Sequence, residues 1–255
     1  MILDQFSLKG KCGLITGAGS GIGKGLATGL AEAGAKVALA GRTMKKLEKA
    51  AEEMKAAGLE AAPFLVDMGD GESISRLVSS VAETFGRIDF LFNNAGLIHR
   101  APLEEFPVNK WEEMLRVNLT GPFLLSQAVA RRMIENKIKG AIVNTSSLIA
   151  VFGGVTVPAY AATKGGLTQL TKSMCNDLAK YGIRVNAIGP GWVKTEMTEA
   201  LQNNTERFTA ISARIPLGRW AVPRDLAGLA VFLASDASAY ITGQVIFIDG
   251  GYLAM

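Results

Sequence analysis

CGLITGAGSGIGKGLATGLAEAGA, residues Cys12 to Ala35, sets the frame for reading the chain. Its first five residues, Cys12 to Thr16, read as a buried strand, and the small and apolar residues after Gly21 read as a helix. Between them Gly17, Gly21 and Gly23 stand in a G-x-x-x-G-x-G spacing, which departs from the usual G-x-G-x-x-G of dinucleotide sites. The mechanics are the same. Glycines permit a tight turn and let backbone approach a pyrophosphate, while the helix offers free N–H groups and the positive end of its dipole. Ser20 and Ile22 then lie at the phosphate edge. A glycine-rich turn used only for packing is the plainer alternative; a strand before it and a helix after it favour a nucleotide.

Strand-like runs recur beyond this stretch, at Val37 to Ala40, Ala62 to Val66, Ile88 to Phe92, Ala141 to Thr145, Arg184 to Ile188 and Gln244 to Ile248, with amphipathic segments between them. Such alternation predicts a doubly wound, Rossmann-type seven-stranded parallel sheet with helices on both faces. No repeat or linker interrupts it, so residues 1–255 are expected to form one nucleotide-binding domain.

Composition narrows the function. The net charge of +4 comes from basic residues scattered among acidic ones, as in KKLEKAAEEMK at Lys45 to Lys55, which reads as a solvated helix face. No nucleic-acid partner is expected. The longest apolar runs, such as Leu226 to Ala234, are too short to span a bilayer, and MILDQFSLKGK shows no signal-peptide core. A cytoplasmic protein with no membrane partner is expected. Cys12 and Cys175 are too few for a metal cluster, and His99 is the only histidine, so no metal is expected. Proton transfer falls to tyrosine, lysine or carboxylates.

After the second strand, where an acid would hold the ribose hydroxyls of NAD, the chain has Gly41-Arg42. Arg42 can offer a planar charged donor to a ribose phosphate, with Lys45 and Lys46 nearby, or it is an ordinary helix-entry arginine. NADP(H) is therefore favoured and NAD(H) remains possible. Asp67, beside Met68, can accept a bond from the adenine amino group or cap the helix that starts near Asp70. The turn Asn93 to Gly96, with Asn94, Ala95 and Gly96, has residues small enough for backbone to lie against a cofactor, or is a plain strand end. A long helix from about Trp111 carries Asn118 in its interior, either to hold a water in a polar relay or as an amide tied to backbone.

The stretch VPAYAATK, Val157 to Lys164, puts Tyr160 and Lys164 one turn apart on a helix face, with Pro158 in the first turn. An ammonium near the phenol is expected to lower its pKa, and a phenol so tuned can exchange protons near neutrality. The alternative is a surface tyrosine stacked on a lysine stem. Ser146 and Ser147 end the fifth strand. After the sixth comes GPGWVKTEM, in which the backbone of Pro190, Gly191, Val193 and Thr195 can close over a nicotinamide. Residues 192–218, with a polar stretch from Thr195 to Arg214, read as a substrate lid.

In this order and at these spacings, TGAGSGIG, Asp67, NNAG, Asn118, Ser147, Tyr160-x-x-x-Lys164 and PGWVKT resemble the short-chain dehydrogenase/reductase family over essentially the whole chain. The resemblance implies that Tyr160 is the catalytic acid/base. It implies that Ser147, thirteen residues before it, polarises the substrate oxygen, a spacing that selects it over Ser146. Lys164 would lower the tyrosine pKa and hold the nicotinamide ribose, and Asn118 would keep a relay water in place.

The N-terminal MILDQFSLKGK, NAGLIHRAPLEEFP, RIPLGRWAVPRDL and IDGGYLA are similar to a narrower group within that family, the gluconate 5-dehydrogenases and 2-deoxy-gluconate 3-dehydrogenases. That likeness implies interconversion of a keto and a hydroxy group on a sugar acid. Arg100 would grip the carboxylate, with Trp192 and His99 lining the pocket; otherwise Arg100 is a loop arginine capping a helix or bridging subunits. A 3-oxoacyl-carrier-protein reductase shares the same residues, and a nucleotide-sensing protein without turnover shares the fold. The helices from Trp111 and Pro158 carry more apolar residues than one sheet face needs, and relatives pair them across a two-fold axis; a homotetramer is expected.

Overall fold

The computed structural model describes residues 1–254. Strand β1 (Cys12–Thr16) passes through the glycine turn into α1 (Gly21–Glu32). Then follow β2 (Lys36–Gly41), α2 (Met44–Ala56), β3 (Ala61–Leu65) and α3 (Gly71–Phe85). After β4 (Phe90–Asn93) come α4 (Val108–Leu115) and α5 (Gly121–Glu135), joined by a π-helical stretch, Arg116–Thr120. The next elements are β5 (Ala141–Thr145), a short α6 (Ile149–Phe152), α7 (Pro158–Leu178) and β6 (Arg184–Pro190). The chain closes with α8 (Glu199–Gln202), α9 (Thr205–Ser212), α10 (Ala227–Ala234) and β7 (Val245–Ile248).

All seven expected strands form, and every neighbouring pair runs parallel in the order β3-β2-β1-β4-β5-β6-β7. Some ends differ from the expected ones. The fourth strand begins at Phe90 and not Ile88, because the Asp89 carboxylate takes the Cys12 N–H at 2.8 Å in place of a strand carbonyl. The third starts and stops one residue early, the sixth runs on to Pro190 and the seventh starts at Val245. The helix expected from about Trp111 begins at Val108, directly after Pro107. Asp70 caps α3 by accepting from Glu72 N–H, so Asp67 is not the cap.

Successive residues of a strand point to opposite faces, and the core divides accordingly. Ile15, Val37, Leu39, Phe90, Phe92 and Val143 meet α1, α2 and α10 on one side. Leu14, Ala38, Ala40, Leu91 and Ile142 meet α3, α5 and α7 on the other. Both faces are apolar because both are covered. Winding reverses between β1 and β4, and the carboxyl ends of the strands at that reversal leave a crevice.

Candidate active site

The crevice is a cavity of about 390 Å³. One wall is the glycine loop, from Gly17 to Gly23; Arg42, Lys46, Val66 and Met68 stand at one end, with Asn94, Ala95, Gly96, Tyr160 and Lys164 along the floor. Gly17 has φ +66°, in the left-handed region where a side chain is strained. A Cβ on Gly23 would come within 2.2 Å of Gly17 O and 2.6 Å of Asn94 Nδ2. The loop is therefore folded tightly on the Asn93–Gly96 turn. Thr16 locks the two together: its Oγ1 accepts from the N–H groups of Asn94 and Ala95, each at 3.0 Å, and donates to Phe92 O. What results is a cradle lined by backbone, next to the N-terminus of α1, which suits a dinucleotide pyrophosphate.

Tyr160 and Lys164 project from the start of α7, where Pro158 occupies the first turn as expected. Lys164 is 3% exposed; its Nζ donates to Thr145 O at 2.5 Å and lies 5.5 Å from the centre of the Tyr160 ring. Burial with no carboxylate beside it lowers the lysine from 10.5 to about 8. Burial likewise pushes the Tyr160 phenol up to about 12, with Ser147 and Arg100 acting the other way. Lys164, expected to depress the phenol, is not among the groups acting on it here. The ammonium is turned to the Thr145 carbonyl, and desolvation of the phenol outweighs Ser147 and Arg100.

The two serines differ in orientation. Ser146 is 1% exposed and exchanges a hydrogen bond with Thr168 Oγ1 of α7 at 2.8 Å, so it faces the helix. Ser147 acts on the Tyr160 phenol, and its Oγ accepts from Ile149 N–H at 3.1 Å. Asn118 sits in the π-helical stretch, an irregularity frequent at functional sites. Its Oδ1 accepts from Leu97 N–H at 2.9 Å, while Nδ2 donates to Leu97 O at 2.8 Å and reaches Thr163 Oγ1 at 3.4 Å. The amide is tied to backbone, with both Nδ2 hydrogens engaged and one bond taken by Oδ1. A Cβ on Gly96 would lie 3.3 Å from Asn118 Oδ1 and 3.8 Å from Lys164 Nζ, which brings these three residues to one point.

The remaining candidates divide. Ser20, Gly21, Ile22, Arg42, Met68 and Thr195 line the crevice with the loop. Asp67 does not: it is exposed, and its Oδ1 accepts from Gly69 N–H at 2.8 Å. Pro190, Gly191 and Val193 also lie off the cavity wall. Pro190 ends β6, Gly191 stands against Asp249, and Val193 is buried and bridged to Ala221, so this stretch aims Thr195 and does not itself line the cavity. His99 rests edge-on against Phe106, 5.5 Å away. Trp192 belongs to an aromatic group with Trp220 and Tyr252, and its Nε1 is buried without a partner among the described residues. Arg100 is exposed as a residue, yet burial of its guanidinium lowers its pKa; Arg207 of α9 lowers it further and the Tyr160 phenol raises it.

Sequence reasoning missed Thr145, whose carbonyl holds Lys164, and Thr16, which carries the turn; neither residue type at a strand end is distinctive. It also missed Arg207, since only the fold brings α9 over Arg100.

No imidazole lines this crevice, so protons there are handled by a phenol and an amine next to a nucleotide cradle, the equipment of a nicotinamide-dependent oxidoreductase. A family model described as enoyl-(acyl carrier protein) reductase matches residues 17–253. The chain belongs to the short-chain dehydrogenase/reductase family. It is 42% identical to a 2-dehydro-3-deoxy-D-gluconate 5-dehydrogenase of Pseudoalteromonas atlantica, covering 99% of each chain. It is 43% identical to a 5-keto-D-gluconate 5-reductase of Escherichia coli, covering 98% of each. Among solved structures, a gluconate 5-dehydrogenase from Burkholderia cenocepacia, in complex with NADP and tartrate, is 40% identical over 100% of both chains with a TM-score of 0.96.

Proposed function

We propose that this oxidoreductase interconverts a keto and a hydroxyl group on a sugar acid of the gluconate type, with NADP(H) as cofactor. The observation that carries the substrate class is Arg100. Its guanidinium is partly stripped of water, the charges acting on it are Arg207 and Tyr160, and no carboxylate is among them. A cation so placed beside the reacting phenol suits a substrate carboxylate. The relatives named for gluconate and keto-gluconate chemistry support the same reading. For the cofactor, β2 ends at Gly41 and is followed by Arg42 with no acid, and both Arg42 and Lys46 line the crevice, an arrangement suited to a ribose phosphate.

When bound, the nicotinamide supplies or accepts the hydride. The chain's own groups serve the oxygen on which charge develops. Tyr160, held protonated by burial, donates to it, and Ser147 gives a second hydrogen bond. Lys164 holds the ribose, and Asn118 fixes Leu97 beside them as a positioning residue. Residues 192–218 act as the lid over the substrate. The reading includes a cytoplasmic location; no helix among the described residues is long and apolar enough to cross a membrane.

Reduction of 5-ketogluconate, deoxy-keto sugar acids and an acetoacetyl thioester, each with NADPH and NADH, tests this. Turnover confined to the thioester would point to a 3-oxoacyl-carrier-protein reductase, and no turnover at all to a nucleotide sensor. Arg100→Ala is expected to raise KM for the acidic substrate by about 10- to 100-fold, the loss of a hydrogen bond between charged groups, and to leave a neutral keto sugar unaffected. An unchanged KM for the acid would remove the carboxylate role.

The proposal extends to a homotetramer. Leu119, Phe123, Gly166 and Leu170 form an apolar hollow on the outer face of α5 and α7, and Phe123 is 42% exposed. Light scattering is expected to give four times the chain mass; a monomer at working concentration would contradict this.

A further inference from the structure

The reaction uses no ion pair among the residues that line the cofactor crevice, yet one stands there. Lys46 Nζ, in the first turn of α2, lies 2.7 Å from Glu196 Oε2, on the segment that leads into α8 and α9. The residues are 150 apart in sequence and belong to different elements. A Cβ on Gly19 would come 3.1 Å from Lys46 Cβ, and one on Gly21 would come 3.4 Å from Thr195 Cγ2, so the glycine loop runs between them. Both residues line the cavity, as does Arg42. They are 51% and 67% exposed, which makes the pair weak and exchangeable.

We propose that Lys46 is the second cation for the 2′-phosphate of the cofactor and that Glu196 competes with that phosphate for it. This rests on the NADP(H) reading. A phosphate monoester near neutrality carries between one and two negative charges on three acceptor oxygens, so it outcompetes a single carboxylate for the same ammonium. Once Lys46 turns to the phosphate, Glu196 faces a like charge, and the segment running to α9 is untied from α2. A cofactor with a free 2′-hydroxyl leaves the pair closed. Glu196 thereby links cofactor choice to the position of the lid. Ser20 places no second cation at the loop, and Lys46 fills that role from the neighbouring helix.

Calorimetry on the full chain with 2′,5′-ADP and 5′-AMP tests this. Glu196→Gln is expected to tighten 2′,5′-ADP binding about three- to fivefold, the range an exposed ion pair supports, and to leave 5′-AMP unchanged. In a Lys46→Gln background 2′,5′-ADP binds more weakly, and Glu196→Gln then has no effect. Tryptophan emission reports the release, because Trp192 packs on Trp220, which stacks on Phe208 of α9. Emission shifts when 2′,5′-ADP is added to the wild type and is already shifted in Glu196→Gln without nucleotide. Unchanged or weaker binding in Glu196→Gln, or tightening that persists without Lys46, overturns the proposal. If the wild type binds 2′,5′-ADP no better than 5′-AMP, the NADP(H) reading falls and takes this one with it. A preference for 2′,5′-ADP without Lys46–Glu196 coupling removes this proposal alone.

Discussion

Tyr160→Phe is expected to lower kcat by about 10²- to 10⁴-fold, the share a positioned general acid or base contributes. Coenzyme binding should survive, because the glycine cradle and Lys164 do not depend on the hydroxyl. The magnitude follows from the site. Burial holds the phenol up to about 12, so at neutral pH it is a hydrogen-bond donor and a proton source for an oxygen gaining negative charge. No histidine is within the crevice to substitute for it. Ser147 remains and leaves a residue of activity, since it can still bond that oxygen. Turnover at saturating substrate and coenzyme, with folding verified by circular dichroism and NADPH uptake by fluorescence, is the measurement; undiminished turnover would overturn the catalytic assignment.

Lys164→Met should lower kcat/KM by about 10²-fold or more, as loss of a preorganised donor does, and it carries a second signature in stability. In the folded chain the lysine titrates near 8 and not near 10.5, so between those values the unfolded chain binds more protons. Stability therefore rises with pH across that window, and the penalty of burying the ammonium is fully present below it. Tyr160 works the opposite way but only above its ordinary value of 10, where the unfolded chain begins to lose protons first. Denaturant unfolding at pH 7.5 and pH 9.5 is expected to show the wild type gaining on the order of 2 kcal/mol relative to Lys164→Met. A wild type and variant with the same pH dependence would show that the amine is not held in this environment.

The two variants divide the chemistry. Phenylalanine at 160 removes a proton and little else, whereas methionine at 164 removes the group on which the cofactor ribose is proposed to rest. A rise in KM for NADPH is therefore expected with the second variant and not with the first.

The alternation of apolar strands with amphipathic helices was enough to specify a parallel sheet of seven strands, because hydrophobic periodicity is local and survives without tertiary information. The glycine loop, the Asn93–Gly96 turn and the Tyr160–Lys164 pair were legible for the same reason: each depends on residues a few positions apart. Which of Ser146 and Ser147 faces the phenol could be guessed from spacing, but the contact with Thr168 that turns Ser146 away comes from the packing of α7 on β5. Other features depended wholly on long-range placement. Lys164 and Tyr160 take their acidities from burial, and burial is a property of the assembled core. Asp67 read in the sequence as an adenine contact or a helix cap; the cap is Asp70, and Asp67 Oδ1 accepts from Gly69 of its own loop. For Asn118 the sequence left a relay and a backbone tie both open, and the partner its amide closes on, Leu97, lies twenty-one residues away. Glu196 carried no signal at all, since only the fold sets it against a lysine 150 residues earlier. Local pattern thus named the fold and most of the chemistry. Charge state and pairing waited on three-dimensional neighbours, because electrostatic energy depends on distance and solvent exposure and not on position along the chain.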